Sequence, residues 1–262
     1  MKNYINRIPL GDNKFAYHQS PEFRNMGLDL TRRIYTHWTP PKTFFHHRNG
    51  GHVSAIARHL DNTYFSHLDI NRFFYRVRKN HIIKSLKRIG FSFDDANEAA
   101  AHSVVKTEDG FSLPYGFTQS PVLASLCLDK SQCGAFLRKI PKEFRISVYV
   151  DDIIISHASD RVALVALSNE LVECFRSCGF PVSEDKMILA ETQIVSFNIR
   201  LSNGEQVIVP DRMQEFYNKI ALNSDNSNVL DGIEGYVRTV NSGQADDVAA
   251  AIARAWHRVT AR

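Results

Sequence analysis

The stretch Ser147-Val148-Tyr149-Val150-Asp151-Asp152-Ile153-Ile154-Ile155-Ser156 sets two adjacent carboxylates between two apolar, β-branched runs. Runs of this kind form well-buried strands, and acids between them read as the tip of a hairpin. A buried strand does not carry two charges without a partner, because taking ionised carboxylates out of water is costly. A hard divalent cation such as Mg²⁺ suits them: it takes oxygen ligands and keeps positions open for phosphate oxygens. An Asp-Asp pair alone is also common in exposed turns, so the rest of the chain has to decide.

With 262 residues the chain is long enough for one large or two small domains with a substantial core. No apolar run approaches the roughly 20 residues of a membrane span. The start, Met1-Lys2-Asn3-Tyr4, lacks a signal-peptide core, so a cytoplasmic protein without membrane contact is expected. Cys127, Cys133, Cys174 and Cys178 match no zinc spacing and read as buried, reduced thiols. Histidines 46, 47, 52, 59 and 67 have no supporting ligand spacing and read as loop and core residues. The net charge of +4 is mild, but residues 71–93 contain no acid and seven cations: Arg72, Arg76, Arg78, Lys79, Lys84, Lys87 and Arg88. A solvated helix face normally mixes signs, so a one-sign run points to a polyanion such as nucleic acid.

Residues 1–60 show no repeat and read as loops and short elements, with Pro40-Pro41 and Gly50-Gly51 as breakers. Thr63–Ile70 is β-prone and carries a third acid, Asp69. Helices are expected over about 80–89 and 94–106, the second closed by the Asp109-Gly110 turn. Another should open at Gln119-Ser120-Pro121, with Ser120 as N-cap, and continue to about Lys139. Beyond the hairpin, Asp160 caps a helix with an apolar stripe that Gly179 ends. Strands are expected at 186–190 and 194–200, an Asn203-Gly204 hairpin turn within 201–209, and helices from Asp211 onward. The order over 63–190 is that of a split βαβ sheet of ferredoxin-like type, in which Asp69 would lie beside the hairpin tip.

Assembled in this order, the chain resembles a reverse transcriptase, a right-hand polymerase. Leu68-Asp69-Ile70-Asn71-Arg72-Phe73-Phe74 resembles the family's first palm motif, and Leu113-Pro114-Tyr115-Gly116-Phe117-Thr118-Gln119-Ser120-Pro121 its second. Tyr149-Val150-Asp151-Asp152 resembles the third, and Gly179-Phe180 through Lys186 the fourth. The resemblance covers roughly residues 48–200. It implies an α+β fold with a ferredoxin-like palm (61–74 and 113–210), α-rich fingers (1–60 and 75–112) and a small helical thumb (211–262).

It further implies an RNA-directed DNA polymerase that works by two-metal phosphoryl transfer from deoxynucleoside triphosphates. Asp69, Asp151 and Asp152 would be catalytic and, with the Ile70 carbonyl, would ligate two Mg²⁺ ions, for which Mn²⁺ substitutes. Lys186 would serve the triphosphate. Phe74 would sit under the incoming sugar and exclude a 2′-hydroxyl. Tyr115, Gly116 and Gln119 would border the nucleotide, and Arg48 and Arg58 would reach its triphosphate. Tyr149, Lys79, Lys84, Lys87, Arg88, Arg254 and Arg258 would contact template, primer or product.

Two departures refine the resemblance. Tyr115 stands where many reverse transcriptases carry Gln. Gly50 to His59 resembles the fingers motif of retron-type bacterial enzymes but has Ala55-Ile56 in place of Asn-Ala, and Ile194-Val195-Ser196-Phe197 replaces the later Val-Thr-Gly signature. A relative of retron and antiphage-defence enzymes is therefore expected, working with a noncoding RNA or with a partner, a second defence protein or further copies of itself. The alternatives are template-independent or protein-primed DNA synthesis, and a catalytically idle polymerase fold that binds RNA.

Overall fold

The computed structural model describes residues 2–11, 13–108 and 110–260, with side chains described as far as 256. In chain order the elements are β1 (Tyr4–Gly11), β2 (Lys14–Gln19), α1 (Pro21–His37), α2 (Gly51–Ala57), β3 (Tyr64–Asp69), α3 (Phe73–Arg76), α4 (Lys79–Arg88) and α5 (Phe93–Ser103). They continue with β4 (Val105–Thr107), β5 (Gly110–Ser112), α6 (Ser120–Asp129), α7 (Gln132–Leu137), β6 (Arg145–Tyr149), β7 (Asp152–His157) and α8 (Arg161–Ser177). Then come β8 (Ile188–Glu191), β9 (Gln193–Ser196), β10 (Ile199–Ser202), β11 (Glu205–Ile208), α9 (Pro210–Leu222), α10 (Ser227–Val240) and α11 (Ser242–Thr260).

The central sheet has the order β6-β7-β3-β8 with every neighbour antiparallel, as a ferredoxin-like split βαβ arrangement requires. Side chains alternate between its faces. Leu68, Ile153 and Ile155 enter the main core with α6 and α8, while Phe65 and Ile154 enter a second core with β9–β11 and α9–α11. Burial on both faces explains why Ile153-Ile154-Ile155 is apolar without alternation. The β3–β7 register sets Asp69 opposite Asp152 at the end of the sheet. Three acids separated by up to 83 positions (152 − 69) therefore meet at one edge.

Several expected elements take their expected form. The Asp160 carboxylate accepts the Ala163 N–H at 2.9 Å and starts α8, and Gly179 ends it at φ +81°. Asn203-Gly204 forms the turn between β10 and β11, both residues at positive φ. Others do not. Residues 1–60 contain a hairpin and the 17-residue α1, whose Phe23, Gly27, Leu30 and Ile34 make one buried stripe. The helix expected from Ser120 to Lys139 is two: α6 ends at Asp129, and Ser131 re-caps the chain by accepting the Gly134 N–H. A side chain at Gly134 would lie 2.2 Å from the Asp129 carbonyl, so the two helices need glycine where they meet. Gln119, not Ser120, is the N-cap of α6. The 194–200 strand is likewise split, by a turn at Phe197-Asn198. Asp109 lies outside the described residues. Among the described residues no helix is long and apolar enough to cross a membrane.

Candidate active site

The acids are held by backbone first. The Ile70 amide donates to the Asp151 carbonyl at 2.9 Å, and the Ser183 amide donates to the Asp69 carbonyl at 2.8 Å. These bonds tie the end of β3 to the hairpin on one side and to the segment before β8 on the other. Along an extended strand a residue's N–H and C=O point the same way. The Ile70 carbonyl accordingly points to the Asp151 side.

Each acid has distinct surroundings. One oxygen of buried Asp69 accepts from Ser183 Oγ at 2.9 Å and the other meets Lys186 Nζ at 3.1 Å. Asp152 Oδ1 lies 2.7 Å from His67 Nε2, a diagonal neighbour on the same face. Burial, then the negative charges of Asp152 and Asp69, pushes the Asp151 carboxyl up to about 6 against the pull of Lys186. The hydrogen bond to Asp69 and the remaining acids raise Lys186 in turn. Ser183 and His67 escaped the sequence reading, since a serine before a short strand and one histidine among five carry no distinctive signal.

The hairpin tip is strained. Val150 occupies the left-handed region at φ +59°, a conformation that β-branched residues avoid. Its amide donates to His46 Nδ1 at 3.0 Å, while His46 Nε2 lies 2.6 Å from Ser125 Oγ, which donates to the Pro121 carbonyl at 2.8 Å. Burial, with His47 beside it, lowers His46 to about 3, so the ring is neutral at neutral pH. Since Nδ1 accepts, Nε2 carries the proton and donates to Ser125. The chain of bonds anchors the tip to α6. His46 and Ser125 hold the turn that carries the acids, an arrangement that only the fold reveals.

Beside the tip stand the rings expected to border a nucleotide. Phe74 and Tyr115 meet edge-to-face at 4.9 Å, with Tyr75 at 5.3 Å from Tyr115. Burial and then the Asp151 charge raise the Tyr115 hydroxyl well above its ordinary value. The structure thus brings Phe74, Tyr115 and the acids together.

It does not do so for four other expected residues. Gly116 has φ +93°, and a side chain there would come within 2.5 Å of the Tyr17 carbonyl, so the close approach of β2 already requires glycine here. Gln119 is buried and bonds Gln19 and Ser103, so it is a core residue that joins α5, α6 and β2. Arg58 donates to the Ile146 carbonyl at 3.0 Å, near the start of β6 and away from the tip at its end. Arg48 donates to the Lys42 carbonyl and leans on Phe45.

Tyr149 belongs to a ring cluster with His46, His52 and Phe197 at centroid distances of 5.7, 6.0 and 5.0 Å. The cluster continues through Tyr236 into a cavity of about 520 Å³ between the β9–β10 turn, α9 and α10. Phe197, like Val150, is held at positive φ. Lys84, Lys87 and Arg88 are exposed on α4 and Lys79 is half-buried; Arg88 bonds the Lys130 carbonyl and Lys87 sits over the Phe93 ring. Arg254 is exposed on α11, and the Arg258 side chain lies outside the described residues.

The acids fit divalent cations. Their donors are hard oxygens, and crowding already holds a proton on Asp151 below a pH of about 6, a conflict that added positive charge relieves. Asp69 turns to Ser183 and Lys186 and Asp152 to His67, and the carboxylate oxygens of the three do not all come within 4.8 Å of one another. Among the described residues only Cys133, Cys174 and Cys178 form so close a set. Burial raises the Cys133 and Cys174 thiols, which keeps them protonated in the core between α7 and α8.

A ferredoxin-like sheet with one acid on its central strand, two on the adjoining hairpin and flanking helical layers defines a right-hand polymerase. Two solved structures share the fold. A telomerase from Candida albicans, in complex with a fragment of telomeric RNA, aligns with a TM-score of 0.51 at 11% identity over 87% of this chain and 47% of its own. An RNA polymerase complex inside a dsRNA virus aligns with a TM-score of 0.52 at 13% identity over 91% of this chain and 25% of its own. This chain thus spans less than half the length of either. No curated protein matches it. Residues 3–199 match the reverse transcriptase (RNA-dependent DNA polymerase) family, and the chain belongs to that family.

Proposed function

We propose that this chain extends a primer with deoxynucleotides on an RNA template. The observation that carries the reading is the pairing of Asp69 with Asp152 across β3 and β7, with Asp151 beside it in the strained tip. The primer 3′-oxygen forms a bond to the α-phosphorus, the bond to the departing pyrophosphate breaks, and the hydroxyl proton passes to solvent. Asp69, Asp151 and the Ile70 carbonyl, with Asp152 auxiliary, would hold a pair of Mg²⁺ or Mn²⁺ ions, which neutralise charge on the attacking and leaving oxygens. Lys186, drawn to Asp69, is within reach of the same charges and offsets that of the departing pyrophosphate. Phe74 and Tyr115 wall the sugar side, and the Phe74 ring leaves no room for a 2′-hydroxyl. The Tyr149–Phe197–His52 rings offer faces on which primer bases stack. Lys79, Lys84, Lys87, Arg88 and Arg254 supply cations for duplex phosphates.

In this reading 1–60 and 75–112 are the fingers, 61–74 and 113–210 the palm, and 211–262 the thumb. A cytoplasmic role in antiviral defence with a noncoding RNA or with a partner, a second protein or further copies of the chain, is the finer proposal; it is supported by the Gly50–His59 resemblance alone. Incubation with deoxynucleoside triphosphates, Mg²⁺ and a primed RNA should yield DNA, and the double variant Asp151→Asn/Asp152→Asn should yield none. Synthesis that persists in the double variant overturns the site. A fixed product sequence that ignores the template would favour untemplated synthesis.

A further inference from the structure

A second concentration of charge lies outside the catalytic cleft. A cavity of about 920 Å³ opens beside the outer edge of β6, where the Thr43 carbonyl accepts the Val148 amide at 2.8 Å. Lys42, Arg58, Lys130, Arg138, Lys142 and Arg145 line it. One carboxylate, Asp129, faces them, and it is already taken by Trp38 Nε1 at 2.9 Å, Lys130 Nζ at 3.1 Å and Arg138. Arg145 has only an exposed contact of 3.8 Å with Asp61. Among the described residues Lys42 and Lys142 have no ion-pair partner, and both are exposed. Burial and the neighbouring Arg145 and Arg48 lower the Arg58 guanidinium, the mark of positive charge left unbalanced. The cavity is as large as many ligand sites, but six of its fifteen lining residues are cations against one carboxylate, where ligand sites are mostly apolar. A concave wall with an excess of one sign focuses potential and attracts the opposite one.

The cations come from separate segments: Lys42 from the stretch that runs beside β6, Arg58 from the end of α2, Lys130 and Arg138 from the ends of α6 and α7, and Lys142 and Arg145 from the loop into β6 and its first residue. A single phosphate would need donors that converge on one point. Cations spread around an open cavity match a chain of phosphates instead. Arg145 pairs with Ser156, whereas Tyr149 pairs with Asp152 at the tip. Four residues of strand separate the two, about 13 Å. We propose that this cavity binds the sugar–phosphate backbone of a nucleic-acid segment distinct from the template–primer duplex. Recognition through phosphates carries no base specificity, so RNA and DNA of one shape bind alike.

The test uses the full chain with its cleft filled by a short primer–template duplex and a labelled 24-nucleotide RNA stem–loop followed by anisotropy. Lys42→Gln/Lys142→Gln should weaken stem–loop binding several-fold, and Lys42→Gln/Lys142→Gln/Arg145→Gln tenfold or more. The slope of log affinity against log salt should become shallower by about two to three in the triple variant. Extension of the short duplex should stay at the wild-type rate, and because binding is read without catalysis, failure here leaves the polymerase site standing. The double variant replaces only exposed, unpartnered lysines, so it keeps the test valid if Arg145 proves necessary for folding. Unchanged stem–loop affinity and salt slope would overturn the proposal. So would tripolyphosphate or polyglutamate binding that the stem–loop fails to displace.

Discussion

Asp151 is placed against its own stability. Its carboxyl titrates near 6 in the folded chain, against an ordinary 3.8, because burial and two neighbouring acids penalise the charge. A raised carboxyl favours the fold at low pH, and that advantage is lost as pH climbs from about 4 to about 6. Above 6 the ionised group costs the fold on the order of 3 kcal/mol. Asp151→Asn should therefore melt a few degrees higher than wild type at pH 8 in EDTA, with the difference vanishing below pH 4, while its polymerase activity is lost. An Asn variant that melts lower at pH 8 would show that the acids are not crowded as described. At this scale the sequence displayed the acids and the Phe74–Tyr115 pair. It hid the partners that orient them, because His67, Ser183 and His46 reach the acids or their turn only through folding. It gave no sign that Gly116 and Gln119, read as nucleotide neighbours, pack against β2 and α5.

The element that matters most is the β6–β7 hairpin. Its turn forces Val150 into a left-handed conformation, and the His46–Ser125 chain is what holds it there. His46→Ala removes the acceptor for the Val150 amide and should lower kcat at least tenfold with a smaller change in KM for nucleotide. His46→Asn, whose Oδ1 stands where Nδ1 stood, should recover a large part of it. Equal losses in both variants would reduce His46 to a packing residue. The hairpin was legible because paired acids between the apolar run 146–150 and three consecutive isoleucines have few other readings. The breaks between α6 and α7, and between β9 and β10, were not. The first is set by contact of Gly134 with the Asp129 carbonyl, and the second by a turn built on Phe197, a residue that turns rarely use.

Across the whole molecule, the sheet β6-β7-β3-β8 converts sequence distance into proximity, and two cores on its opposite faces fix the register that does so. That assembly was legible from the alternation of strands and helices over 63–190. The first 60 residues were not, since α1 buries only one residue per turn on a polar helix and β1 is exposed along nearly all its length. Nor did one-dimensional reading find the basic cavity, whose six cations come from segments spread over 104 positions (145 − 42 + 1). The central claim is that Asp69 and the hairpin tip act together as one cation site for a nucleotide. Mn²⁺ paramagnetic resonance, on the chain with a deoxynucleoside triphosphate and a chain-terminated primer on RNA, tests it directly. Wild type should immobilise Mn²⁺ and Asp69→Asn should lose most of that signal; equal binding by the two would contradict the account.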